Sequence, residues 1–474
     1  MTATLRSIEP GRSFAGEAEP SPASSGKQRW CIVGGGMLGL ALAHKLAGPS
    51  REITVLEASD RFGGLADAWK LGPITWDRHY HVALLSDRNL GALLADIGLD
   101  GQMNWTTTKT DFYTGGTFYP LNDAIDYLRF KPLNLIEKSR LAFTILYASR
   151  IRNGVRLESI PVDTWLKRLS GRGAYEQVWR PLLRAKLGSN HNVVSASFIW
   201  SVINRFYGAR RSGLKKEMFG TVTGGYATII EALMQNLTSR GVVSRTDSPV
   251  RSIRRVADGV EVSAKDWEGT FDHVVVTAAG PLAARMCPDL NEPERERLAS
   301  ARYQGVVCSS LLLKKPLRGR YLTYIADETI PFTGVIEMTA VVDPREFGGR
   351  SLVYLPTYVP SGDPLFEVPD EEIRRRCVAA LSQMYDTFSE DDILAFRVSR
   401  ARNVMAIQSL NYSQKVPPME TSIPGLYIVN SSQIINGNLN VDETIGLAQK
   451  ALGSLLEFEA RTPLHGVAQS RRTA

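Results

Sequence analysis

Hydrophobic positions along this chain change their period from one stretch to the next, and the changes divide it. Trp30-Cys-Ile-Val33 is a short apolar run, followed by closely spaced glycines and then by apolar residues at helical spacing to about Leu46. Glu52-Ile-Thr-Val-Leu56 comes next, rich in β-branched and aliphatic residues. Strand, helix and strand in such quick succession make a βαβ unit, which predicts a parallel sheet covered by helices. Between about 120 and 212 the period becomes helical, in Leu135–Ile151, Val162–Leu169, Tyr175–Leu187 and Ala196–Tyr207. Strands return in Val250–Arg255, Val260–Ala264 and His273–Thr277, then in Val306–Leu313, Tyr321–Ala326, Gly334–Met338 and Leu352–Tyr358. Glu371–Tyr385 predicts a helix, Gly425–Asn430 a last strand and Val441–Leu456 a last helix.

Composition narrows the class. At 474 residues the chain is too long for one ordinary domain. Hydrophobic residues at 43% and charged residues at 22% are globular values, which excludes wholesale disorder, collagen and coiled coil. No apolar run is long enough for a spanning helix. Lys and Arg number 56 against 49 acids, a net +7, with short clusters at Arg210–Lys216, Arg251–Arg255 and Arg374–Arg376. This mild excess suits anionic substrates or an acidic membrane surface; no nucleic-acid module accompanies it, so no nucleic-acid partner is expected. Cys31, Cys287, Cys308 and Cys377 stand far apart without a CxxC, which argues against disulfides or zinc and fits a reducing, cytoplasmic location. Residues 1–28 are rich in Ser, Pro, Gly and Glu and lack an apolar signal core, so they are expected, like 459–474, to be flexible tails.

Residues 32–64 carry the chemistry: Ile-Val-Gly34-Gly35-Gly36-Met-Leu38-Gly39, then Val55-Leu56-Glu57-Ala58 and Gly63-Gly64. Gly34 permits the tight turn out of the strand, Gly36 lets backbone N–H groups approach a pyrophosphate, and Gly39 lets the helix pack close to the sheet. The helix N-terminus offers free donors and partial positive charge to the anion. Glu57, ending the second strand, is spaced to accept hydrogen bonds from an adenosine ribose, and an acid there disfavours a 2′-phosphate.

Glu57 followed by Gly63-Gly64 resembles the extended dinucleotide motif of the flavin-dependent amine oxidase superfamily, which includes monoamine oxidases, protoporphyrinogen oxidases, phytoene desaturases and UDP-galactopyranose mutases. The resemblance continues in Phe219–Tyr226, in Val250–Ile253, in His273–Thr277 and in Ile423–Asn430 with Asn440-Val441. It is strongest to the protoporphyrinogen-oxidase-like branch. It implies non-covalent FAD held by Gly34, Gly35, Gly36, Leu38, Gly39, Glu57, Ala58, Gly63, Gly64, Leu65, Val250, Thr277, Asn430, Ser431, Asn440 and Val441. Leu65 stands where several amine oxidases carry Arg, and Asn430 or Ser431 where an acid usually follows the last strand. The implied fold is α/β: a Rossmann-like FAD-binding domain with a parallel sheet (29–105, 215–300, 401–458) and a discontinuous substrate domain with a mixed sheet (106–214, 301–400), whose helical insertion covers 120–212. The last helix, capped by Asn440 with Glu443 three residues on, would aim its first N–H groups at the flavin N1–C2=O edge.

On the substrate side, Trp76-Asp-Arg78-His79-Tyr-His81 is the most unusual polar cluster in the chain. His79 and His81 are candidates to orient substrate or move protons, and no metal is expected there for want of acidic or Cys partners at ligand spacing. Arg180 and Arg184 share a helical face and could hold a carboxylate or phosphate, with Pro181 starting or kinking their helix; Arg78 is a further candidate. Tyr324, Glu337 and Tyr354 on strands are candidates for the cavity wall. Leu133–Arg152, apolar in its middle and basic at both ends, could lie on an anionic bilayer.

The expected activity is an FAD-dependent oxidase, dehydrogenase or desaturase that takes a hydride from an apolar or partly anionic small molecule onto flavin N5. A single nucleotide fingerprint favours oxygen or a quinone as electron acceptor over a nicotinamide. Two other readings stay open: a non-redox isomerase resembling UDP-galactopyranose mutase, and a non-catalytic FAD-binding subunit. No pattern specifies an oligomer.

Overall fold

The computed structural model describes residues 26–210, 218–435 and 437–461. The flexible-tail expectation for 1–25 and 462–474, and most of the Arg210–Lys216 cluster, lie outside the described residues.

Five parallel strands from distant parts of the sequence form one sheet, in the order Val243–Arg245, Arg51–Leu56, Gln28–Val33, His273–Val276 and Leu426–Ile428. Alternation decides what each side chain covers. Trp30, Ile32 and Val275 point into a cluster with the helices Met37–Leu46, Gly225–Ser239 and Val441–Arg461. Cys31, Val33, Val274 and Val276 point the other way, onto an antiparallel meander of Ser252–Val256, Gly259–Ser263 and Glu268–Phe271. Both faces are covered, which is why these strands read as unbroken apolar runs. The last helix continues to Arg461, into the segment expected to be tail. Glu459 secures it there, accepting from the Arg51 guanidinium at 2.5 Å and the Trp30 indole at 3.2 Å.

A second, mixed sheet has seven strands, in the order Ile393–Ala406, Tyr303–Leu313, Ser351–Pro360, Gly334–Glu337, Leu322–Ile325, Thr110–Thr114 and Thr117–Pro120. Its pairings are antiparallel except that of Leu322–Ile325 with Thr110–Thr114. The helix Asp370–Met384 covers one face through Ile373, Cys377, Ala380, Leu381 and Met384. The strand Ile393–Ala406 runs straight through position 401, and Met103–Thr107 through 105, so neither expected domain border coincides with a break in secondary structure. Glu337, expected in the cavity wall, is buried elsewhere. It accepts the backbone N–H groups of Leu317, Arg318, Gly319 and Arg320 at 2.9–3.2 Å and so fixes that turn.

The helical segment has its own core around Leu141, Trp165, Trp179, Leu183, Phe198 and Ile199. A capping box of Asn134 and Glu137 starts the helix Leu135–Ala148. Where the period predicts one helix, Tyr175–Leu187, the chain forms a π-helical turn, Tyr175–Trp179, and then the α-helix Arg180–Leu187. Pro181 has no N–H to give to the preceding turn, and the ladder resets around it.

Candidate active site

One cavity of about 1140 Å³ runs between the parallel sheet, the mixed sheet and the helical segment. Its first wall is the turn after Gln28–Val33. Gly34 sits at φ 113°, and a Cβ there would meet the Thr277 hydroxyl at 2.3 Å. Gly39 lies so close to the Gly34 carbonyl that a Cβ would come within 1.9 Å of it. At Gly36, by contrast, a Cβ would point into the cavity, with Gly64 Cα at 3.9 Å as its nearest neighbour. No side chain caps the helix Met37–Leu46, and Gly36, Met37 and Leu38 all face the cavity. Its first N–H donors are therefore offered to a ligand. The Glu57 carboxylate lies on the same wall, oriented by the N–H groups of Gly35 (2.7 Å) and Ser59 (2.9 Å).

Further along, Ala58, Gly63, Gly64, Leu65, Val250, Thr277, Ser431, Asn440 and Val441 line the cavity as well. Gly35, Gly39 and Asn430 do not face it. Gly35 orients Glu57, Gly39 packs the helix, and Asn430 is buried as the cap of Ser431–Gln433 with its amide on the Ala278 carbonyl at 3.0 Å. Asn440 caps its helix, accepting from the Glu443 N–H at 2.9 Å.

The inner chamber holds His79 and His81. His79 Nε2 is 3.2 Å from the Ser399 hydroxyl. Burial, with the neighbouring His81 and Arg78 charges adding, holds its pKa down to about 3; burial holds His81 down to about 4. Both rings are therefore neutral near pH 7. His81 Nδ1 lies 3.9 Å from Asp77, and burial pushes the Asp77 carboxyl up to about 8 although it accepts the Tyr226 N–H at 2.8 Å.

Besides Glu337, four candidates lie outside the cavity wall. Arg78 pairs with Asp67 at 2.6 Å and lies over the Trp69 ring. Arg180 is exposed and bound to Glu176 at 2.8 Å, and Arg184 is bound to Glu328. Tyr354 is fully buried, its hydroxyl on the Asp77 carbonyl. Tyr324 does line the chamber. Sequence reasoning missed Lys186, Tyr358 and Tyr80, which the cavity brings together: Lys186 Nζ donates to the Tyr358 hydroxyl at 2.9 Å, and that hydroxyl shares a 2.8 Å bond with Tyr80. Lys186 and Tyr80 lay inside segments already singled out, but their neighbours carried the more conspicuous chemistry.

Comparison with known proteins decides the family. Residues 38–433 match the profile of the flavin containing amine oxidoreductases. The chain belongs to this family. Membership implies a flavin cofactor, and the first wall of the cavity fits FAD: an uncapped helix N-terminus, a glycine left open where a pyrophosphate must approach, and a carboxylate set for the ribose. Coproporphyrinogen III oxidase of Mycobacterium tuberculosis (strain ATCC 25618 / H37Rv) is 33% identical over 96 residues, 19% of this chain and 21% of the relative. Coproporphyrinogen III oxidase of Staphylococcus aureus (strain NCTC 8325 / PS 47) is 23% identical over 289 residues, 52% of this chain and 59% of the relative. The chain thus spans about a fifth of the length of the first of these relatives and under two thirds of the second. Among solved structures, a protein of Exiguobacterium sp. 255-15 superposes with a TM-score of 0.73 at 19% identity, covering 92% of this chain and 100% of its own. Reduced UDP-galactopyranose mutase does so at 0.70 and 14%, covering 93% and 100%. At such identities these two likenesses speak to the fold alone.

Proposed function

We propose that this oxidoreductase moves a hydride from an apolar or partly anionic organic molecule to FAD. One observation carries the reading: the nucleotide wall and the apolar chamber are parts of a single cavity. When bound, the flavin supplies the hydride acceptor at N5. The chain's own residues position and exclude water. Gly36, Met37 and Leu38 receive the pyrophosphate on backbone N–H groups, and Glu57 receives the ribose. Ser431, Asn440 and Val441 close the flavin end, where the capped helix N-terminus favours negative charge. Leu183, Ile199, Ile203 and Val306 make the chamber apolar, while His79 and His81, neutral at pH 7, serve as hydrogen-bonding groups that orient the substrate. On this reading 29–105, 215–300 and 401–458 are the FAD-binding domain and 106–214 with 301–400 the substrate domain, with the borders at 105 and 401 falling inside strands that both domains share. Oxygen or a quinone takes the electrons on.

An isomerase handling a nucleotide diphosphate-sugar would need several free cations at the chamber; Arg180 and Arg184 lie outside it and are each taken by a carboxylate, and Arg205 is taken by Asp87, which leaves the chamber Lys186. The purified protein should be yellow and release FAD on denaturation. Under anaerobic conditions a panel of amines, porphyrinogens, polyenes and nucleotide sugars should yield bleaching by an apolar member and none by the nucleotide sugars. Turnover only after prior reduction, with no net electron consumption, would replace the oxidoreductase with the isomerase; no bleaching and no turnover would leave a binding subunit.

We also propose that the helices Ala124–Arg129 and Leu135–Ala148 rest on an anionic bilayer. Leu128, Leu135, Ile136 and Phe143 are 60%, 71%, 73% and 56% exposed, and the exposed cations Arg129, Lys131 and Arg152 flank them. Lys138 and Arg140 do not contribute, being turned onto the carbonyls of Leu128 and Leu169. Ile145, on the same helix, lines the cavity, which places a lipidic substrate's route beside the membrane. Among the described residues no helix is long and apolar enough to cross a membrane. The protein should sediment with phosphatidylcholine vesicles containing phosphatidylglycerol and not with phosphatidylcholine alone. Salt should weaken that binding, and L135D/I136D should lower it roughly tenfold. Equal sedimentation of parent and variant would remove the bilayer from the account.

A further inference from the structure

The helix Arg180–Leu187 carries three cations, and they have different fates. Arg180 and Arg184 face outward and are bound to Glu176 and Glu328. Lys186 turns to the chamber. Its ammonium lies 4.2 Å from the centre of the Tyr358 ring and donates to the Tyr358 hydroxyl at 2.9 Å. Tyr358 in turn shares its 2.8 Å bond with Tyr80, and all three residues line the cavity. Among the described residues no carboxylate pairs with Lys186. Arg205 on the cavity wall is already held by Asp87 at 3.0 Å, so it does not compete for a ligand, and Arg251 and Arg285 line the nucleotide end, beside Val250 and on the helix Gly280–Met286, and not the chamber wall of Lys186. Burial pushes the Tyr358 phenol up to about 12, so it remains a neutral donor and does not neutralise the ammonium.

A cation on an apolar wall with no counter-ion is costly, and a ligand anion relieves that cost. An ammonium has three donors, of which Tyr358 uses one, leaving two for a ligand beside the Tyr80 hydroxyl. One point charge with a hydroxyl matches a carboxylate; a diphosphate calls for more cations than this wall offers. We infer that Lys186, with the Tyr80–Tyr358 hydroxyl pair, anchors a carboxylate of the substrate, so that the molecule oxidised is a carboxylic acid with an apolar body. This deepens the oxidoreductase reading and rests on it only in taking the chamber as the substrate's.

Isothermal calorimetry with matched probes tests it: benzoate, cinnamate and decanoate against the corresponding neutral amides, on the purified protein as isolated. The carboxylates should bind at least about tenfold more tightly than their amides. Lys186→Met should erase that preference while leaving amide binding unchanged, and Lys186→Arg should keep most of it. Tyr358→Phe should weaken carboxylate binding a few-fold. Circular dichroism checks that each variant folds, and the Lys186→Arg result holds the test should Lys186→Met fail to. Equal binding of acids and amides, no heat from any carboxylate, or an undiminished preference in Lys186→Met would overturn the anchor. The readout does not need the flavin: a colourless protein with the preference sinks the FAD reading alone, and a yellow protein without it sinks the anchor alone.

Discussion

Gly36→Val should purify colourless while folding as stably as the parent stripped of its flavin. Gly36 has φ −71° and ψ 174°, a conformation open to any residue, so no backbone strain follows from the substitution. Its Cβ would find Gly64 Cα at 3.9 Å, an ordinary contact, and the rest of the side chain would stand in the cavity. The fold loses nothing. What is lost is the approach of a pyrophosphate to the N–H groups at the start of Met37–Leu46, together with the interaction of its charge with the helix terminus. Flavin affinity should fall at least about a hundredfold, which is ~2.7 kcal/mol. Gly39→Val is the matching control with the opposite outcome. Its Cβ would lie 1.9 Å from the Gly34 carbonyl oxygen, so helix and strand must part and the protein should not fold. The flavin-to-protein absorbance ratio and melting curves of the flavin-free proteins read both effects. A yellow Gly36→Val protein of parental stoichiometry would put the nucleotide somewhere else.

That contrast also shows why this part of the site was legible in the sequence. Gly34, Gly36, Gly39 and Glu57 do their work through backbone geometry within one βαβ unit, and spacing along the chain translates directly into spacing in the turn. The anchor in the chamber follows no such rule. Lys186 and Tyr358 are 172 residues apart, and Tyr80 and Tyr358 are 278 apart; only the tertiary fold joins them. Alternation places Tyr354 and Tyr358 on one face of Ser351–Pro360 but is silent about depth, and Tyr354 is sealed beneath Asp77 while Tyr358 reaches the cavity. For Arg180 and Arg184 the sequence displays the cations and their period. The carboxylate of Glu328, which neutralises the second, arrives from another element.

The largest strand the hydrophobic pattern overlooks is Ile393–Ala406. It lies at the edge of the mixed sheet, where charged side chains discourage pairing with another chain, and Arg397, Arg400 and Arg402 interrupt its apolar run. Those cations have local employment: Arg397 lies over Trp69, Arg400 pairs with Asp370, and Arg402 pairs with Glu367. An edge strand thus reads as a loop from composition, while the central strand Tyr303–Leu313, covered on both faces, reads plainly.

Stability should peak near pH 6.5 and decline above it, and Asp77→Asn should abolish the decline. Three buried groups at the chamber give the part of the shape that the variant reads; His273, buried in the parallel sheet and held down to about 4 by burial, adds to the rise below ~6.5. His79 and His81 have folded pKa values of about 3 and about 4, below the ~6.5 of an unfolded histidine. Between those limits the unfolded chain binds more protons than the folded one, so both histidines make stability rise with pH and stop contributing above ~6.5. Asp77 acts in the opposite sense. Its folded pKa of about 8 lies above the ~3.9 of an unfolded aspartate, so the folded state holds the extra proton and stability falls as pH rises between those values. Below pH ~6.5 the two histidines outweigh it; from there to about 8 it acts alone among the three. Asparagine keeps an acceptor for the Tyr226 N–H and has no proton to lose. Melting temperatures of parent and variant should therefore diverge progressively from pH ~5 to about 8, with the variant the more stable, and become parallel beyond; above pH ~6.5 that divergence appears as a decline in the parent alone. Curves that stay parallel across that range would mean that Asp77 is already ionised in the folded protein, held by a protonated His81 3.9 Å away, and the imidazole facing the substrate chamber would then be a cation instead of a neutral ring.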